Sequence, residues 1–153
     1  MATSSVKVTG TKSYYKMLKG LQSKTAQKRV MRAGVRTAAA NTKKVMKSNM
    51  PKDEGDLRIS VIIVIRNKGY RFTANVGAGD SYSRADGKHP NGKTPYFYDH
   101  LANEGYETRD GRSIPGSHYV ERTADATKSQ NQQIMMSKAI VEIDKLMAKG
   151  VGK

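Results

Sequence analysis

Asp99, His100 and Glu104 have the residue types of a reactive site. They fall within the segment YFYDHLANEGY, residues 96–106. If that segment forms a short helix, His100 and Glu104 are four residues apart and share a face. An imidazole beside a carboxylate can relay a proton or begin a metal site. A metal centre, however, needs further ligands at consistent spacing, and the other two histidines, His89 and His118, stand in or beside turn-rich stretches. Capping and surface solvation are the expected roles of this trio. The chain has no cysteine, which excludes thiolate catalysis, disulfides and Cys-based metal sites. GAGDSYSRADG (77–87) is glycine-rich but lacks the Gly-Lys-Ser/Thr ending of a phosphate loop. SYSRADG and DGRS read as turns rather than nucleophile elbows. No enzyme, no cofactor and no metal are therefore expected.

The second kind of chemistry is electrostatic. The net charge is +15, and it is unevenly spread. Residues 1–52 hold thirteen Lys and Arg and no acid, whereas residues 53–153 hold fifteen cations and thirteen acids, a net of +2. Projected as a helix, Arg29, Arg32, Arg36, Lys43 and Lys47 fall in one narrow sector. A charged stripe is often only a solvated, solubility-promoting face. An ordinary solvent helix intersperses Glu for i,i+4 pairing, and this one has none. The stripe is therefore the candidate surface for a polyanion such as nucleic acid or for an acidic protein partner. It would contact phosphates without reading bases, since no helix-turn-helix, zinc-finger or RNA-binding signature accompanies it.

The elements that must position these residues follow from periodicity. Residues 1–12 read as an extended segment, and 13–21 as a short helix. A long helix is expected from Ser23 or Lys24 to Asn49, with Ser23 or Thr25 as cap and Pro51 as its stop. Opposite the stripe, Ala26, Val30, Met31, Ala33, Gly34, Val35, Ala38 and Val45 spread over one broad side. LRISVIIVIR (57–66) alternates, with Leu57, Ile59, Val61, Ile63 and Ile65 on one face, which predicts a strand. NKG (67–69) reads as a three-residue hairpin turn, and YRFTANVGA (70–78) as the returning strand. Residues 79–95 and 107–117 read as long loops, of the length that is normally functional or disordered. Residues from His118 or Tyr119 to Lys149 read as a helix with a bend in the polar TKSQNQQ (127–133), followed by a frayed tail at 150–153. The whole is one domain over residues 1–153. Its expected class is α+β: a small antiparallel sheet built on a central hairpin, packed against the long basic helix and a C-terminal helix. The core is modest, at 37% apolar residues with no Trp and two Phe, so neighbouring subunits are expected to supply burial. The N-terminus lacks the apolar segment of a secretion signal, and Val61–Ile65 is too short to span a bilayer. The expectation is a soluble protein made in a cytoplasm, with no membrane partner.

The order of short motifs resembles the tail-completion, or neck, proteins of long-tailed phages, the minor-tail-protein-Z-like group. A V-x-V-x-G segment stands at Val6–Gly10, followed by a Leu-containing helix and a long Ala- and Lys-rich one. A P-x-x-x-G-x-L-R-x-S junction stands at Pro51, Gly55, Leu57, Arg58 and Ser60. Tyr98 with Glu104 and Gly105 matches a later family segment, and Pro115, His118, Tyr119, Val120 and Ala124 match the start of the last helix. The chain departs from the family pattern where Gly105-Tyr106 replaces Phe-Gly-Thr and His118-Tyr119-Val120 replaces Pro-Phe-Leu. The resemblance implies a structural virion protein of the neck, without catalytic activity. It implies a homo-oligomeric ring, of six copies, that joins head and tail and touches tail-terminator and head-closure or connector rings. Tyr82, Arg84, His89, Arg109 and Arg112 would be partner-ring contacts on the two long loops. Pro51, Gly55, Asp56, Leu57 and Arg58 would form a helix-to-sheet hinge. The alternative is a non-sequence-specific nucleic-acid-binding protein acting through the basic helix.

Overall fold

The computed structural model describes residues 5–7, 23–51, 56–79 and 99–148. The elements run β1 (Ser5–Lys7), α1 (Lys24–Asn49), α2 (Asp56–Ile59), β2 (Val61–Lys68), β3 (Arg71–Ala78), α3 (Asp99–Glu104), β4 (Gly105–Glu107), β5 (Ser113–Pro115) and α4 (Tyr119–Ala148). This is the expected α+β arrangement of a long helix, a small antiparallel sheet and a C-terminal helix. The short helix expected at 13–21 lies outside the described residues.

α1 begins where an N-cap residue allows it. Ser23 is extended, at φ −84° and ψ 119°, and its Oγ accepts from the amide of Ala26 at 3.4 Å. The helix stops as the chain turns extended at Met50, just before Pro51, which has no amide to donate. One side of α1 is buried through Val30, Met31, Val35, Ala38, Ala39 and Met46. That side meets both α4 and the inner face of the sheet.

α1 and α4 run antiparallel. Arg29 meets Glu142, Thr42 meets Asn131, and Asn49 meets Thr123, so numbers rise along one helix as they fall along the other. α4 is a continuous helix of 30 residues. The bend expected at 127–133 is absent. Five of those polar residues are exposed, and the other two, Thr127 and Asn131, are buried and hydrogen-bonded within the helix pair. Their polarity is satisfied inside the protein, so it interrupts nothing.

The sheet has the order β1-β3-β2, all antiparallel. Val61, Ile63 and Ile65 of β2 lie opposite Ala78, Val76 and Ala74 of β3, and Val6 of β1 opposite Val76. The β2–β3 pairs share the face covered by the helices. Two expectations shift in register. The strand begins at Val61 and not at Leu57, because Asp56–Ile59 forms a helical turn. Ile59 accordingly leaves the inner face and is 52% exposed. The hairpin turn has two residues, since Lys68 pairs directly with Arg71. Gly69, at φ +66°, occupies its first position, as a tight hairpin turn requires.

The segment 107–117 is not an irregular loop. It closes a second, two-stranded sheet, with Tyr106 opposite Ile114 and Glu107 opposite Ser113. Its base is held to the rest of the protein by backbone. The amides of Ser117 and His118 donate to the carbonyls of Ala102 and Asn103 at 3.0 and 2.9 Å. Gly105 sits at φ +88°, and a Cβ there would lie 2.5 Å from the Gly116 nitrogen and the Ile114 oxygen. Only glycine fits that contact. Asn103 is buried, and its Oδ1 accepts from the amide of Val120 at 3.0 Å, capping α4 from the preceding helix.

Candidate functional site

The basic stripe is formed by α1. Arg29, Arg32 and Arg36 are exposed, whereas Lys43 and Lys47 are partly buried. Arg32 and Arg36 form no ion pair among the described residues. Along this face Arg29–Arg32, Arg32–Arg36 and Lys43–Lys47 are like-charge neighbours three or four positions apart. Each such pair disfavours the helix by roughly 0.2–0.5 kcal/mol. Lys43 records the crowding: its pKa is lowered first by partial burial and then by the charge of Lys47.

The arginines line an open trough of about 510 Å³ with Thr25, Lys28, Ala33, Asn67, Phe72 and Glu142. One wall is α1, another is the turn end of the β2–β3 hairpin, and the third is α4. The Lys28 ammonium lies 5.8 Å from the centroid of the Tyr70 ring, which ties the helix to the hairpin side. Glu142 is 8% exposed and carries three cations. Lys138 and Lys145 approach its Oε1 at 3.3 Å each, and Arg29 approaches its Oε2 at 3.9 Å. Sequence reasoning missed this cluster. Its signal was present in KAIVEIDK (138–145), where Lys138 precedes Glu142 by four positions and Lys145 follows it by three.

The expected hinge is only partly described. Arg58 reaches back to the end of α1, where its Nη2 donates to the Met50 carbonyl at 2.8 Å. That bond fixes α2 against the C-terminus of α1, beside Pro51 and Leu57. Gly55 lies outside the described residues, and of Asp56 only its place at the start of α2 is described. Tyr82, Arg84 and His89 also lie outside them. Arg109 and Arg112 are exposed at the tip of the β4–β5 arm, where Thr108 closes the turn by accepting from and donating to Arg112 backbone at 3.0 and 3.1 Å. Both members of the Tyr106–Ile114 pair on that arm are exposed, at 45% and 40%.

The trio considered for reactivity does not converge. Asp99 is buried at the start of α3, while His100 and Glu104 face solvent. Among the described residues no group of three or more His, Cys, Asp or Glu is placed to hold a metal ion. No described helix is long and apolar enough to cross a membrane.

What the fold presents is an α+β protomer with a cationic face on which, among the described residues, only Arg29 meets a carboxylate, and an exposed arm. Residues 4–88, more than half of the chain, match the bacteriophage HK97-gp10-like family, described as a candidate tail component, and the chain belongs to that family. It is thus a phage tail component, a structural virion protein. No curated protein and no solved structure gives a significant match.

Proposed function

We propose that this protein is a subunit of the phage neck that forms a ring at the head–tail junction, completing the tail and helping to join it to the head. It acts by contact and not by catalysis. The ring has six copies, as the resemblance to neck proteins implies, and sits between tail-terminator and head-closure or connector rings. The observation that carries this reading is the stripe of α1. A helix that keeps three like-charge neighbours, with no carboxylate on Arg32 or Arg36 among the described residues, gives up about 1 kcal/mol of its own stability. That cost is offset if the face meets a polyanion, and the genome passing through the lumen is one. The modest core and the exposed arm support association with neighbours. Arg109 and Arg112 on the arm would contact an adjoining ring, and the junction from Pro51 to Arg58 would set the angle between helix and sheet.

The test is assembly. Electron microscopy of the purified protein and of virions should show a closed ring at the neck, and deletion of the gene should leave filled heads and free tails unjoined. A strictly monomeric protein absent from virions would overturn the reading.

A further inference from the structure

We infer that the polyanion-binding surface crosses from α1 onto α4 through Glu142, and that Lys138 and Lys145 are phosphate contacts in it. This rests on the reading above that the stripe meets DNA, and it adds residues which the stripe alone does not include. A stabilising ion pair needs one cation. Glu142 has three, so the cluster keeps an excess of two positive charges after its carboxylate is counted. Lys145 and Arg29 remain well exposed, at 56% and 59% of their side chains, and Lys138 at 33%. Arg29 and Glu142 line the same trough as Arg32 and Arg36, and Lys138 and Lys145 join it through their ion pairs to Glu142. The carboxylate therefore acts as a bracket. It holds long, flexible cations in place and lowers the entropy lost when they meet an anion. The surface that results spans two antiparallel helices rather than one.

The occupant follows from shape and spacing. The cations of α1 from Arg29 to Lys47 extend over about 27 Å at the rise of an α-helix. A long row of charges beside an open trough fits the evenly charged phosphodiester backbone of duplex DNA. An acidic peptide would need apolar anchor pockets along the row, and Phe72 and Ala33 are the two apolar residues among those that line the trough.

The experiment measures binding of the full chain to a short random-sequence duplex as a function of salt. Wild type should bind with a steep slope of log K on log salt. Lys138→Gln/Lys145→Gln should flatten that slope by about 2, and Arg32→Gln/Arg36→Gln by a similar amount, at about 0.9 per lost phosphate contact. Lys138→Arg/Lys145→Arg should keep it. A purely structural role for the lysines would lower the melting temperature and leave the slope unchanged. That result, with the arginine pair still flattening it, would overturn the extension to α4 and leave the stripe reading standing. Failure of wild type to bind duplex, or tighter binding to polyglutamate at equal salt, would remove the stripe reading itself. As a check free of any variant, duplex should protect Lys138 and Lys145 of the wild-type protein from an amine-acetylating reagent. Their unchanged labelling would count against the proposal.

Discussion

Glu142 is almost wholly removed from water, yet it stays charged. The hydrogen bond from Lys145 holds its carboxyl below the usual value of 4.5; burial pulls the other way, and Lys138 adds to the lowering. A carboxyl with a depressed folded pKa contributes stability above its unfolded pKa, and that contribution is lost as pH falls through the folded value. Replacing it by Gln should therefore matter at neutral pH and cease to matter in acid. For Glu142→Gln we expect a loss of ~1 kcal/mol at pH 7, the scale of a partly exposed ion network. In a chain of this size that is about 2–4 °C in melting temperature. The difference from wild type should shrink as the pH drops below the ordinary glutamate range, about 4.3. Thermal unfolding followed by circular dichroism across that window checks it. A deficit that persists unchanged in strong acid would mean the residue acts through packing and not through charge.

At the scale of elements, the seam between α1 and α4 decides how the basic face is oriented. Apolar residues alone would let two long helices slide by a turn. Here Asn131 Nδ2 donates to Thr42 Oγ1 at 2.8 Å, Asn41 Nδ2 donates to Asn131 Oδ1 at 3.3 Å, and Asn49 Nδ2 donates to Thr123 Oγ1 at 3.1 Å. Polar pairs of this kind, one buried and two half-buried, select one register, because any other leaves them unsatisfied. Asn131→Ala should cost about 2 kcal/mol, since it removes packing and strands a donor. The pair Thr42→Val/Asn131→Leu should recover part of that loss, because these two partners become apolar together while the half-buried Asn41 amide still loses its acceptor. Chemical denaturation of the three proteins measures it. A double variant less stable than Asn131→Ala would show that the seam supplies energy and not register.

This seam also marks where the sequence was legible. α1 could be read because a cap, a 3.6-residue period and a proline coincide at Ser23, along the helix and at Pro51. β3 could be read because Phe72, Ala74 and Val76 alternate without interruption. The polar run 127–133 was misread as a bend because periodicity sees only apolar residues, whereas Thr127 is buried with its hydroxyl bonded to the Thr123 carbonyl of its own helix and Asn131 bonds Thr42, far away in sequence. Leu57 was placed one element too late for the same kind of reason. An alternating pattern continues through Leu57 and Ile59, but local hydrogen bonding, including Ser60 Oγ to the Leu57 carbonyl at 2.7 Å, folds them into a turn. The basic stripe was read from spacing alone, but its partners on α4 require the tertiary fold.

At the scale of the whole molecule, the β4–β5 arm is the element that the protomer does least to explain. A two-stranded hairpin is marginal on its own and is normally packed on something. Nearly every residue of this arm from Tyr106 to Pro115 is exposed, and its paired aromatic and aliphatic side chains, Tyr106 and Ile114, face outward. The protomer nevertheless holds the arm rigidly at its base, where Gly105 and Gly116 bring two backbones together. Rigidity at the base with apolar residues on the arm is costly for a protomer that stays alone and useful for one that docks. On the ring reading, the arm engages a neighbouring subunit or ring. Tyr106→Ser/Ile114→Ser should then leave the stability of the isolated protomer within about 0.5 kcal/mol of wild type, as surface substitutions do. The same variant should assemble poorly: sedimentation should show a shift toward monomer, and complementation of a gene deletion should yield few joined particles. Restored joining at wild-type levels would remove the arm from the interface and leave Arg109 and Arg112 as surface charges only. If stability fell sharply, the pair would belong to the protomer's own fold and the exposed geometry would need another partner within the chain.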